Sequence, residues 1–119
     1  MLKTPFVIRR LRKFPEQYDA FFDGYDVLLS LTASDSAPKL GYLSTELDFE
    51  MAFERLKAFI PYTAYQNLAG APAISLPLGQ SKDGLPVGVQ FAAAYGQEKR
   101  LLELAFELEE AMPWPGLGR

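Results

Sequence analysis

The chain has 119 residues, 49% of them hydrophobic and 23% charged, a balance that allows one folded domain and excludes the weakly hydrophobic signature of disorder. A formal net charge of -3 argues against nucleic acid as partner, because phosphate contacts supply most of that affinity and need a basic surface. With no cysteine and no histidine, thiolate catalysis, zinc-finger sites and a Ser-His-Asp triad are excluded by inventory.

The first fifteen residues carry Arg9, Arg10, Arg12 and Lys13 inside the stretch and not ahead of an apolar run. No segment reaches the roughly 18 apolar residues of a membrane span, so the expected compartment is the cytoplasm and no membrane partner is expected. Phe6, Leu11 and Phe14 fall on one side of a helix with the basic residues mostly opposite, and a solvated face accounts for that cluster. Pro15 is expected to break or restart the helix, and a second piece over residues 16–22 stops at Asp23-Gly24. Asp19, Asp23 and Asp26 gather near Gly24 without the alternating D-x-D-x-D-G order of a calcium loop, so helix-end and turn chemistry explains them. Residues 25–31, Tyr-Asp-Val-Leu-Leu-Ser-Leu, read as a buried strand bounded by breakers.

Residues 32–44 are rich in Ser, Ala, Pro and Gly without a period and read as a loop. Ser36 and Lys39 within it make an S-x-x-K spacing, but Pro38 lies between them and neither partner motif of penicillin-recognising enzymes is present, so the spacing is coincidental. Thr45 and Asp48 resemble a capping box ahead of Phe49, Phe53, Leu56 and Ile60, which share one helical face. Pro61 ends that helix. An irregular segment follows, and then a strand over residues 73–77. Asp83-Gly84 marks a turn, and residues 87–91 form the returning strand of a hairpin with an eight- or nine-residue connection, Pro77 and Pro86 sitting at the strand ends. A last helix over residues 97–112 buries Leu101, Leu104, Ala105, Leu108 and Met112 and solvates Lys99, Glu103, Glu107 and Glu110, with Pro113 and Pro115 as stops.

These elements predict an α/β fold, helices packed on a small mixed sheet. Three strands leave an open edge and some uncovered apolar face, so the chain reads as part of a larger sheet. Tyr62, Thr63, Tyr65 and Asn67 lie in the irregular segment ahead of a strand, where scaffolds commonly hold binding residues. They are the candidate pocket residues; a structural reading, with tyrosines packing and Asn67 satisfying turn backbone, stands beside it.

The run from Pro61 to Gly79 carries an F/Y-T-x-x-x-N-x-x-G-x-P-A-x-S-x-P pattern (Tyr62, Thr63, Asn67, Gly70, Pro72, Ala73, Ser75, Pro77) and resembles the end of amidase-signature hydrolases. Asp83-Gly84-Leu85-Pro86-Val87-Gly88-Val89-Gln90 is similar to that family's D-G-L-P-V-G-x-Q hairpin, Tyr25-Asp26-Val27-Leu28-Leu29 to its Y-D-V-L-L strand, and Pro113-Trp114 to its closing Pro-Trp. The resemblance covers about Phe21 to Trp114 in order. The Pro61-Tyr62-Thr63-Ala64 form with a later Pro-Trp is similar to the branch containing enzymes that act on 6-aminohexanoate-type amides. Where the family continues its strand as T-P-T, this chain has Ser30-Leu31-Thr32, so no substrate contact is carried over there.

The resemblance implies a C-terminal segment, residues 1–119, of an α/β/α fold around a large mixed sheet. It also implies amide hydrolysis through a Ser-Ser-Lys arrangement whose residues lie in an upstream Gly/Ser-rich segment. No such run occurs here, so no catalytic role passes to Ser30, Ser75 or Ser81, and the chain alone is expected to be inactive. A small amide is the expected substrate only together with the absent N-terminal part, with no cofactor or metal and with self-association through exposed apolar surface. A different reading is a stand-alone binding or interaction module derived from an amidase. A third, an independent enzyme using Lys39 or Lys82 as base, has no supporting spacing.

Overall fold

The structure, a computed structural model, describes residues 4–114, with side chains from Val7 onward. The Phe6 side chain and Pro115 lie outside the described residues. Four helices and three strands run in the order α1 (Thr4–Phe21), β1 (Leu28–Leu31), α2 (Phe49–Phe59), α3 (Ala64–Ala69), β2 (Ala73–Gln80), β3 (Pro86–Ala92) and α4 (Glu98–Ala111). Among the described residues no helix is long and apolar enough to cross a membrane.

Helix α1 does not break at Pro15, although an interior proline removes a hydrogen bond and costs about 3 kcal/mol. Contacts on both sides of it hold the turn together: Phe14 stacks on Tyr65 of α3 at 6.3 Å, and the Tyr18 hydroxyl accepts a hydrogen bond from Gln66. Further along the chain, α2 is capped by Asp48, whose Oδ1 accepts from the Met51 N–H at 3.1 Å. Thr45 is therefore not its cap. The stripe Phe49, Phe53, Leu56 and Ile60 is present, but each side chain is exposed, Phe49 to 79%.

The sheet has the order β1-β3-β2 with antiparallel pairing throughout. β1 and β2 run parallel to each other, as strands joined through helices do, but β3 inserts between them, so the parallel contact of a mixed sheet does not form among these three. Pro77 lies inside β2 and not at its end. The Ala93 N–H donates to Pro72 O, which fixes the phase of the β2–β3 ladder: Ile74 and Leu76 turn their backbone groups to β3, while Ala73, Ser75 and Pro77 face outward, where a missing N–H is tolerated. A register shift between Leu76 and Gly79 then lets the strand continue to Gln80. The connection is consequently only residues 81–85, closed by Ser81 N–H to Leu85 O at 2.8 Å and Leu85 N–H to Ser81 Oγ at 3.0 Å, with Gly84 at φ 81°.

Helix α4 lies on one face of the sheet and buries Leu101 against Leu76, Phe91 and Ala93; Ile74, Val89, Leu104, Ala105, Leu108 and Trp114 pack around them. Met112, expected in the core, is the helix cap and half exposed. β1 is not a buried strand, since Leu29 is 63% and Leu31 44% exposed. Both share the α4 face through their register partners Phe91 and Val89, beyond the area α4 covers.

The resulting body measures 54 × 42 × 20 Å with a radius of gyration of 17.2 Å, where a compact chain of this length has about 13.5 Å. It exposes 9595 Å², where a compact monomer of 13.3 kDa exposes about 6,500 Å². This thin slab has one small core and roughly 3,000 Å² of surface beyond that norm.

Candidate functional site

The segment leading into β2 is built from its stops. Ile60 closes α2 with its N–H on Leu56 O, and Gly70 closes α3 in the left-handed region at φ 68°. A Cβ at Gly70 would meet nothing within 4 Å, so backbone angle and not space requires glycine there. Between the stops α3 forms one and a half turns that sequence reading treats as irregular.

Within it the four candidate residues separate. Asn67 Nδ2 donates back to Thr63 O at 3.3 Å, tying the helix to its own start. Tyr65 is half exposed and stacks on Phe14, joining an aromatic series in which Phe14 meets Tyr18 at 5.9 Å and Tyr18 meets Phe22 at 5.4 Å. Tyr62 and Thr63 are half-buried. None of the four lines either of the two surface depressions described below.

Gln66, which lies in the same segment beside the four candidates, is the buried one, at 6% exposure. Its Nε2 donates to the Tyr18 hydroxyl at 3.2 Å and its Oε1 has no partner among the described residues, an arrangement that costs free energy unless a donor arrives. Burial pushes the Tyr18 phenol up, with the Gln66 hydrogen bond pulling the other way. No period in the sequence singles out Gln66 from its neighbours.

The sheet face away from α4 holds a second polar group. Register places Ser30, Gln90 and Ser75 side by side across the three strands; Gln90 Nε2 donates to Ser30 Oγ at 3.3 Å, and Thr32 Oγ1 and Ser75 Oγ are 2.6 Å apart. Gly88 lies beneath that pair, and a Cβ there would come within 2.8 Å of both hydroxyl oxygens. The period-2 alternation of residues 74–76 and 87–91 carries this signal, since one strand face alternates apolar and the other small or polar. Among the described residues no lysine or carboxylate hydrogen-bonds to these hydroxyls, so they are oriented but not activated as nucleophiles.

A depression of about 560 Å³ lies between the loop after β1, the end of α2 and the hairpin turn, lined among others by Ser36, Lys39, Tyr42 and Asp83. The loop is held there by Ser34 Oγ to Ala58 O at 2.7 Å, and by Arg55, which donates to Tyr42 O and sits 4.7 Å over its ring. Ser36 and Lys39 do share this depression, but the Ser36 hydroxyl donates to Asp35 Oδ1 and, among the described residues, no hydrogen bond joins it to Lys39. A smaller hollow of about 260 Å³ is lined by Tyr18, Asp19 and Tyr95. The carboxylates near Gly24 have separate uses: Asp19 Oδ1 accepts from the Tyr95 N–H at 3.1 Å, and Asp26 pairs with Arg100 at 2.8 Å. Among the described residues no three His, Cys, Asp or Glu side chains gather around one point as metal ligands.

The profile of the family described as Amidase matches residues 4–102. The chain is 52% identical over 114 residues to the "Putative amidase AmiC" of Mycobacterium leprae, covering 96% of this chain and 24% of that protein. It is 37% identical to the 6-aminohexanoate-cyclic-dimer hydrolase of Paenarthrobacter ureafaciens, covering 90% of this chain and 23% of that one. A solved 6-aminohexanoate cyclic dimer hydrolase superposes with a TM-score of 0.78 at 38% identity, over 90% of this chain and 24% of that one. The chain thus spans about a quarter of the length of the curated relatives it matches.

Proposed function

This chain belongs to the amidase family, and we propose that it is the C-terminal part of an amidase-signature hydrolase, adding sheet strands and part of the substrate wall to a domain whose Ser-Ser-Lys residues it does not carry. The observation behind this reading is the unfinished slab: an ordered amidase-like piece that matches relatives four times its length and exposes about 3,000 Å² beyond the norm for its size. A surface of that size is what obligate assemblies bury. The buried Gln66 Oε1 without a donor is a second feature that a fuller domain would complete.

The reaction proposed for the complete domain is hydrolysis of a non-peptide carbon–nitrogen amide bond in a small substrate, in the cytoplasm. Tyr62, Thr63, Tyr65 and Asn67 are proposed for the wall of its pocket; their support is their place directly before β2, with Tyr65 presenting an exposed ring.

The test is amide hydrolysis on a panel of small amides, including linear 6-aminohexanoate amides, with three samples: this chain, the non-matching three quarters of the Mycobacterium leprae relative, and the two co-expressed. Activity only on co-expression is expected. Turnover by this chain alone would overturn the reading and make Lys39, Lys82 and the serines the next residues to replace.

A further inference from the structure

None of the side chains of α2 is buried, and the larger contacts between elements join β2 to β3, β1 to β3, α1 to α3 and α4 to β2, with α2 in none of them. Among the described residues, three hydrogen bonds tie this helix to the loop after β1: Ser34 N–H to Phe59 O at 3.0 Å, Ser34 Oγ to Ala58 O at 2.7 Å, and Arg55 Nη1 to Tyr42 O at 3.0 Å. Ser34 makes two of the three, and its acceptors are the last carbonyls of the helix, which a helix cannot satisfy from within. Two residues earlier, the Thr32 N–H donates to Gly88 O at 3.2 Å and Thr32 Oγ1 meets Ser75 Oγ at 2.6 Å. A short bridge, anchored at both ends, therefore runs from the sheet through Thr32 and Ser34 to the C-terminal end of α2.

We propose that Ser34 is a positioning residue, which orients the end of α2 on the sheet and so sets where Tyr62 and Thr63 stand. These two follow α2 directly, while α3 beyond them is anchored separately, through Tyr65 on Phe14 and Gln66 on Tyr18. Tyr62 and Thr63 thus lie between two anchors, and a shift of either moves them. Bonds to two neighbouring carbonyls fix a direction, whereas the backbone bond alone is a pivot; holding a binding segment to within a fraction of an ångström needs the former. Ser34, Ala58 and Phe59 also line the 560 Å³ depression together with Asp83 and Leu85 of the hairpin turn, so turning α2 about that pivot changes its width. The bridge is a property of the chain as such, and its consequence for turnover rests on the reading of Tyr62 and Thr63 as pocket wall.

The chain has no cysteine, so spin labels can be set at two chosen points, Lys57→Cys on α2 and Lys82→Cys in the hairpin turn, both exposed. The distance distribution between them should be narrow in the otherwise unmodified chain, about twofold broader with Ser34→Ala, which leaves only the backbone bond, and narrow again with Ser34→Thr, which keeps a hydroxyl. In the co-expressed pair used for amide hydrolysis, Ser34→Ala should raise KM about tenfold with kcat within about twofold, and Ser34→Thr should restore it. Asp48→Ala, which uncaps the opposite end of the same helix, should leave KM within about twofold, a difference that a merely structural role for Ser34 does not produce. A distribution that is already broad, or that Ser34→Ala does not broaden, would overturn the bridge. Broadening without a change in KM, or equal changes in KM for Ser34→Ala and Asp48→Ala, would overturn the positioning role. An inactive unmodified pair would overturn the amide-hydrolysis reading and the kinetic role with it, while the labels still decide the bridge.

Discussion

Replacing Gly88 by alanine tests the polar face of the sheet at its tightest point. Gly88 is not among the glycines with positive φ, so its backbone accepts alanine and any cost comes from contacts. The new Cβ would sit 2.8 Å from Ser75 Oγ, 2.8 Å from Thr32 Oγ1 and 3.1 Å from Thr32 Cβ, driving apart two hydroxyls that now hydrogen-bond at 2.6 Å. Overpacking of this kind costs about 1–3 kcal/mol, and the lower entropy of the unfolded chain returns about 0.4–1 kcal/mol. A net loss of roughly 1–2 kcal/mol is expected, a fall in Tm of about 4–8 °C for a chain of this length. Trp114, the single tryptophan, packs against the core, so its fluorescence during thermal and urea unfolding reports the change. Ser75→Ala alone loses one hydrogen bond, about 1 kcal/mol, but it also removes one of the two oxygens that the methyl group strikes. Gly88→Ala with Ser75→Ala should therefore lose about 1 kcal/mol less than the sum of the single changes. Additivity within about 0.5 kcal/mol, or a neutral Gly88→Ala, would refute the crowding described here.

Leu101→Ala should destabilise the chain by about 2–5 kcal/mol, since it empties the centre of a small core, while Phe106→Ala on the exposed side of the same helix should change urea midpoints by under about 0.5 kcal/mol; equal effects would mean that α4 is turned the wrong way. Asp48→Ala should cost about 1 kcal/mol and reduce helical circular dichroism, because it removes the cap of α2, whereas Thr45→Ala should do neither. Tyr18 provides a pH test. Its folded phenol holds the proton more tightly than the unfolded one, so its contribution is complete below pH about 10 and is lost as pH rises through the folded value. Tyr18→Phe should flatten the alkaline limb of stability against pH, and an unchanged limb would show that burial of this hydroxyl does not set it.

Local patterns made several elements legible. The Asp83-Gly84 turn with its flanking alternation locates the β2–β3 hairpin, and the spacing of Leu101, Leu104, Ala105 and Leu108 locates α4 and its buried side. The candidate site was legible only as a segment. Tyr62 to Asn67 were placed before the strand that they precede, but nothing local shows that Asn67 turns back to Thr63, that Tyr65 lies on α1, or that Gln66 is the side chain taken inside. The two prolines misled for a shared reason. Pro15 and Pro77 carry a real local cost, and whether it ends an element depends on partners distant in sequence: α3 beside α1 in one case, and, among the described residues, the place of β2 at the end of the sheet in the other.

The sequence by itself determined the phase of β3 and of α4 from Leu101 to Leu108 and, through the run from Phe21 to Trp114, the resemblance to the amidase family. Phase is local, because a helix repeats every 3.6 residues and a strand every two whatever surrounds them. Coverage is not. Phe49, Phe53, Leu56 and Ile60 form a stripe by spacing alone, yet remain exposed because no second surface among the described residues covers them, and Leu29 and Leu31 lie on the core face but past the end of α4. The tertiary structure alone decided that β3 enters between two parallel strands, which edge is left open and which hydroxyls meet over Gly88, since each of these depends on surfaces brought together from distant parts of the chain.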